Sequence, residues 1–139
     1  MAFANNRTRY EGELIKVLKE HMGEEWFGQR GTHSLGVDVL FSHEGHQPFI
    51  SHTAFFEVKS MKSWPFYLSK RNREQYDRYA KLFEEKKVEV IYGIRIVGGK
   101  GDKWRFAPLT GFSTTKNGHP KLGLEDTIGM QELCTLLKL

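Results

Sequence analysis

The sequence predicts an α/β domain, with a central sheet flanked by helices, from three observations. Apolar residues recur at helical spacing over residues 9–22 and again over 69–86. Short β-branched and aromatic runs stand between and after these two stretches, at 26–29, 36–41, 54–60, 88–97 and 104–108. Strands interleaved with helices in this order stack into one layered unit. A chain of 139 residues is read most simply as a single domain with room for a real core.

The first element is predicted as a helix from Arg9 to Met22. Thr8 followed by Glu11 matches a capping box, and Tyr10, Leu14, Val17, Leu18 and His21 recur at helical spacing. At 100° per residue from Tyr10, Glu11 falls at about 100°, between Leu18 at about 80° and Ile15 at about 140°. It therefore lies inside the apolar sector, whereas Glu13, Lys16, Lys19 and Glu20 cluster opposite. A carboxylate on a buried face needs a partner. Either Glu11 closes the capping box, or it is a third acid directed at the site described next.

Residues 26–29 read as a strand leading into Arg30-Gly31-Thr32-His33-Ser34-Leu35-Gly36, a small, polar loop that delivers the chain to Asp38. Loops on a rigid scaffold commonly carry function, which makes Arg30 and Ser34 candidates for phosphate contact; the bland reading is a turn made by Gly31 and Gly36. Asp38 interrupts the run Gly-Val-Asp-Val-Leu-Phe, and Glu57 interrupts Ala-Phe-Phe-Glu-Val-Lys-Ser. The period of two puts Glu57 and Lys59 on one face of the second run, with Phe56 and Val58 on the other. If the two runs pair as neighbours, Asp38 and Glu57 converge into an oxygen-rich site for a hard cation such as Mg²⁺. A Glu-x-Lys pair alone more often marks a solvated strand face. Here each acid breaks an otherwise apolar run.

The connection from Ser42 to Thr53 is polar and reads as a long hairpin loop; His43 and His46 lie in it without the cysteine or helix that would fix a metal site. Residues 60–68, with Trp64-Pro65, read as an extended connector. The second helix, Ser69 to Lys86, carries Asn72, Tyr76, Tyr79, Ala80 and Phe83 on one stripe. From Lys59 to Lys87 there are nine Lys or Arg against four Asp or Glu. Lys62, Lys70, Arg71 and Arg73 belong to this excess, and the last three crowd a first turn whose dipole favours acids, which suggests approach to phosphate. Residues 88–97 and 104–108 read as an antiparallel pair joined by Gly98-Gly99-Lys100-Gly101-Asp102. That glycine run is not a phosphate-binding P-loop, because Ile94 stands where the motif needs glycine and no Ser or Thr follows Lys100. A turn-rich tail from Thr110 to Asp126 precedes a short closing helix at 129–137.

The net charge of +4 and pI near 9.2 favour an anionic partner. One cysteine, Cys134, excludes an internal disulfide and a multi-cysteine zinc knuckle. No apolar run reaches membrane-spanning length and no signal core opens the chain, so a soluble, cytoplasmic protein is expected.

The ordered set Tyr10-Glu11-Gly12-Glu13-Leu14, Arg30, Ser34, Val37-Asp38, Phe56-Glu57-Val58-Lys59, Lys70, Tyr79, Phe83 and Trp104-Arg105-Phe106 resembles the PD-(D/E)xK nuclease superfamily. Within it, the set is most similar to the archaeal-type Holliday junction resolvases, over roughly the first three quarters of the chain. The resemblance implies a restriction-endonuclease-like mixed central sheet. It also implies Mg²⁺, with Mn²⁺ as a substitute, bound by Asp38, Glu57 and the Val58 carbonyl, and Glu11 completing the acidic site. Lys59 would hold or polarise the attacking water, and Arg30 and Ser34 would act on the scissile phosphate. The partners implied are four-way branched DNA and a second copy of the chain, the homodimer nicking opposed strands symmetrically to leave 5′-phosphate ends. The stripe of Tyr76, Tyr79 and Phe83, with Trp104 and Phe106, is the expected dimer surface; its rival role is the helix's own contact with the sheet. Two departures stand out: Val37 replaces the signature proline, and Gly12 follows Glu11 where relatives usually carry a basic residue. A duplex-cutting restriction-like or repair nuclease, or a non-catalytic DNA-binding module, are the alternatives.

Overall fold

The computed structural model describes residues 6–31, 36–44 and 51–138. Helix α1 (Asn6–Met22) leads into β1 (Trp26–Arg30), β2 (Val39–Glu44) and β3 (Ser51–Met61). Then come β4 (Phe66–Tyr67), α2 (Lys70–Lys86), β5 (Val90–Ile96), β6 (Trp104–Pro108), β7 (Ser113–Thr114), β8 (Pro120–Leu122) and α3 (Met130–Leu137). The main sheet has the order β1-β2-β3-β5-β6 and is mixed: β3 and β5 run parallel, and the other three pairings are antiparallel. Helix α2 is the crossover that parallel neighbours require.

Alternation along the strands divides the core between the two faces. Phe56 and Val58 of β3 pack with Leu14 and Leu18 of α1, Phe41, Phe106 and Leu133 of α3. Tyr92 and Ile94 of β5 pack with Tyr79 of α2, Leu68 and Leu122 on the opposite side. Glu57 and Lys59, on the other parity from Phe56 and Val58, thus face the α2 layer.

Several expectations are corrected. Helix α1 begins at Asn6, so Thr8 is a helical residue and not a cap, and the capping-box reading of Glu11 falls. Asp38 sits one residue before β2, not within it. Strands β2 and β3 run further toward each other than their polar ends suggested, reaching Glu44 opposite Ser51, because the ladder is built by backbone groups and tolerates polar side chains at its wet end. The expected connector after Lys59 continues β3 to Met61, in register with Ile96 of β5. The turn-rich tail, with Phe66–Tyr67, forms a second sheet of order β4-β8-β7. Strands of two or three residues are too short to show a period. The expected dimer stripe is largely the chain's own interior: Tyr79 is 3% exposed, Trp104 4% and Phe106 0%. Tyr76 packs on Tyr92 and Phe112. Among the described residues no helix is long and apolar enough to cross a membrane.

Candidate functional site

The antiparallel register sets Val39 opposite Phe56, which brings Asp38 beside Glu57 and Val58. Three bonds hold Asp38 there. Its backbone N–H donates to the Phe56 carbonyl at 3.0 Å, its carbonyl accepts from the Gly31 N–H at 2.8 Å, and its Oδ2 accepts from the Val58 N–H at 2.9 Å. A side chain at Gly31 would collide with the Val37 carbonyl oxygen, so glycine is required for the chain to close so tightly. Asp38 and Glu57 are both buried, Glu57 completely. Desolvation first, and the neighbouring Asp38 second, push the Glu57 carboxyl up to about 7, against the pull of Lys59 and Tyr79. Its two oxygens are held from separate sides: Oε2 lies 3.0 Å from the Lys59 ammonium, and Oε1 lies 2.6 Å from the Tyr79 hydroxyl.

Lys59 is itself fixed by α2. Its Nζ donates to Asn72 Oδ1 at 3.2 Å and to Gln75 Oε1 at 3.0 Å. The same helix is started by Ser69, whose hydroxyl accepts from the Asn72 N–H at 3.3 Å, and its first turn holds no acid. An open cleft of about 710 Å³ runs from Lys59 past Ser69, Asn72 and Gln75 to Arg71, Glu74 and Arg78. Lys62 and Lys70 are exposed nearby in the chain. Arg73 points elsewhere: its guanidinium packs against Gly118, in the turn between β7 and β8. Asn72, Gln75 and Tyr79 were missed as site residues, although Asn72 offered a signal, being the one amide on the predicted aromatic stripe. Arg78 was also missed.

Glu11 is 9% exposed, as its helical angle predicted. It is carried by α1, and among the described residues no three His, Cys, Asp or Glu side chains form a metal-ligand group. The structure brings Asp38, Glu57 and Lys59 together. Tyr10 does reach the strand end, where it lines a recess with Val58, Lys59, Ser60 and Asn72. Arg30 is exposed, and its guanidinium lies over Gly12, 3.3 Å from where a Cβ would stand. The missing side chain after Glu11 therefore gives Arg30 its place. Ser34 and His46 lie outside the described residues. His43 bonds Glu25 at 3.1 Å and packs on Trp26. Glu13, expected on the solvated face, is instead paired: Arg95 Nε and Trp104 Nε1 donate to its Oε1 at 2.6 and 2.9 Å. Burial would raise the Glu13 carboxyl, but these bonds outweigh it and hold the group below its ordinary value.

The donor chemistry fits a hard divalent cation. Two buried carboxylates in contact cannot both ionise cheaply, and a cation between them would remove that penalty. Asp38, Glu57 and the Val58 carbonyl supply oxygen only, as Mg²⁺ prefers.

No family model matches the chain, and no curated protein matches it in sequence. Among solved structures it is similar to Hjc, a Holliday junction resolvase from the archaeal hyperthermophile Archaeoglobus fulgidus, with a TM-score of 0.67 and 17% identity over 94% of this chain and 97% of that one. The chain therefore has the restriction-endonuclease-like fold of an archaeal Holliday junction resolvase.

Proposed function

We propose that the protein is a divalent-metal-dependent endonuclease that resolves four-way DNA junctions. The observation that carries this reading is the contact of Asp38 and Glu57, with Lys59 clamped beside them at 3.0 Å, in a fold shared with a junction resolvase. Asp38, Glu57 and the Val58 carbonyl would hold Mg²⁺ or Mn²⁺. When bound, the cation stabilises charge on the phosphate and acidifies water. Lys59, which Asn72 and Gln75 keep from swinging away, presents its ammonium to the attacking water or the phosphate. Arg30 and Ser34 act on the scissile phosphate, and Glu11 supports the acidic site from the α1 layer. Arg71 and Arg78 carry positive charge along the cleft that opens from Lys59, and Lys62 and Lys70 add exposed charge nearby in the chain, as tracking a phosphate backbone requires.

One chain supplies one acidic pair, so symmetric cuts on opposed strands call for a homodimer with two sites related by a two-fold axis. The products expected are 5′-phosphate and 3′-hydroxyl ends. The test is incubation of the protein with end-labelled four-way junction, duplex and flap DNA, with Mg²⁺ and with chelator. Paired symmetric nicks on the junction alone, abolished by chelator, are expected. Equal cutting of linear duplex would instead mark a restriction-like or repair nuclease, and binding without cleavage under every cation would mark a DNA-binding module.

A further inference from the structure

We propose that Tyr79 is a positioning residue of the acidic site, fixing the Glu57 carboxyl for a divalent cation and tying it to the segment that delivers Asp38. The inference rests on the reading of Asp38 and Glu57 as cation ligands. Tyr79 is 3% exposed, and its hydroxyl stands 2.6 Å from Glu57 Oε1 and 2.6 Å from the Gly36 carbonyl oxygen. One phenol thus touches the β3 acid and a backbone group two residues before the other acid. With Lys59 on Oε2 and Tyr79 on Oε1, the plane of the Glu57 carboxyl is set from both sides. The phenol cannot swing away, because its ring meets Tyr92 edge-on at 6.3 Å within the α2 layer. Asp38 is also held directly, its carbonyl accepting from the Gly31 N–H at 2.8 Å. Packing alone would be served by phenylalanine; the hydroxyl is what reaches the site. Groups that orient metal ligands in this way typically change metal affinity when removed.

The test is Tyr79→Phe, which keeps the ring and deletes both polar contacts. Mn²⁺ binding is titrated calorimetrically without DNA, and cleavage of a labelled four-way junction is followed at saturating Mn²⁺. The expected result is a Kd for Mn²⁺ raised about 10- to 100-fold, a lower kcat, and a KM for junction within about twofold of wild type. Equal Mn²⁺ affinity and equal kcat in the two proteins overturn the proposal and assign Tyr79 to packing. Should the variant be too unstable to titrate, the Mn²⁺-induced rise in Tm is compared: a smaller rise than wild type supports the proposal, and an equal rise overturns it. A wild-type protein that binds Mn²⁺ more tightly than Tyr79→Phe yet cuts no junction refutes the junction reading and leaves the positioning role standing. A wild-type protein that binds no Mn²⁺ overturns both.

Discussion

The Val58 backbone N–H donates a 2.9 Å hydrogen bond to Oδ2 of Asp38. One carboxylate oxygen is thereby anchored to the neighbouring strand, and Asp38 is held beside the Glu57 carboxyl. The local geometry of the site is thus a property of strand pairing, and the first prediction follows from it. Asp38→Asn keeps an oxygen for the Val58 N–H, and Glu57→Gln keeps the side chain's shape and one oxygen, for either Tyr79 or Lys59, so both variants should fold. Each loses a charged ligand, and junction cleavage in Mg²⁺ should drop by at least about 100-fold. Junction affinity should hold or rise, since an acid facing phosphate is removed. Near-normal nicking by both would sink the site assignment.

The second prediction concerns pH. The folded Glu57 carboxyl is raised to about 7 from an ordinary 4.5, so the folded state binds more protons than the unfolded one between these values. Stability without divalent cation should therefore fall as pH rises from about 4.5 to 7, and the loss is complete above the folded value, amounting to something on the order of 3 kcal/mol. Glu57→Gln, which cannot ionise, should gain relative to wild type over that window. Urea denaturation of both proteins in chelator from pH 4.5 to 8 measures the difference; parallel curves would remove the buried-proton account of this pair.

Glu11 and Glu13 should separate cleanly. Glu13→Gln deprives Arg95 and Trp104 of their shared carboxylate and should cost about 1–3 kcal/mol of stability, with cleavage per folded molecule little changed. Glu11→Gln should lose cleavage with the smaller change in Tm. Thermal melts paired with junction assays on both variants check this; a Glu11→Gln enzyme as active as Glu13→Gln would detach Glu11 from the site.

Gly31→Ala should be damaging out of proportion to its size. The added methyl meets the Val37 carbonyl oxygen, which cannot retreat without breaking the Gly31–Asp38 bond. A loss of about 1–3 kcal/mol is expected, together with reduced cleavage, whereas at Gly36→Ala no atom of the described residues lies within 4 Å and the resistance comes from its φ of +73°. Comparing Tm and nicking rates of the two tests whether crowding at Gly31 matters more than backbone strain at Gly36.

What could be read in the sequence was whatever repeats locally. The inward angle of Glu11 and the shared face of Glu57 and Lys59 follow from helix and strand periods, and β6 falls on the predicted residues 104–108. Contacts that join distant parts of the chain left no such trace. Arg95 is 82 residues from Glu13, so nothing near Glu13 announced that it would be paired rather than solvated. The amides of Asn72 and Gln75 reach Lys59 only because α2 lies against β3, and Tyr79 looked like an apolar stripe residue because its ring is one; only its hydroxyl belongs to the site. The start of α1 was placed late because Asn6, Arg7 and Thr8 carry no apolar period.

The last segment of the chain also settles what the sheet can do at its far side. Phe106 and Ile128 exchange two backbone hydrogen bonds of 2.8 Å, and Arg105 clamps the same stretch through Thr127, with Nε on its hydroxyl and Nη2 on its carbonyl at 2.8 Å each. Strand β6 is the border of the five-stranded sheet, and an uncovered border is a template on which a second molecule's strand can grow. Here the chain has occupied that template itself at its middle residue. Runaway polymerisation by strand addition is blocked on this side, so any association that extends the sheet would have to begin from β1, where Gln29 and Arg30 stand exposed.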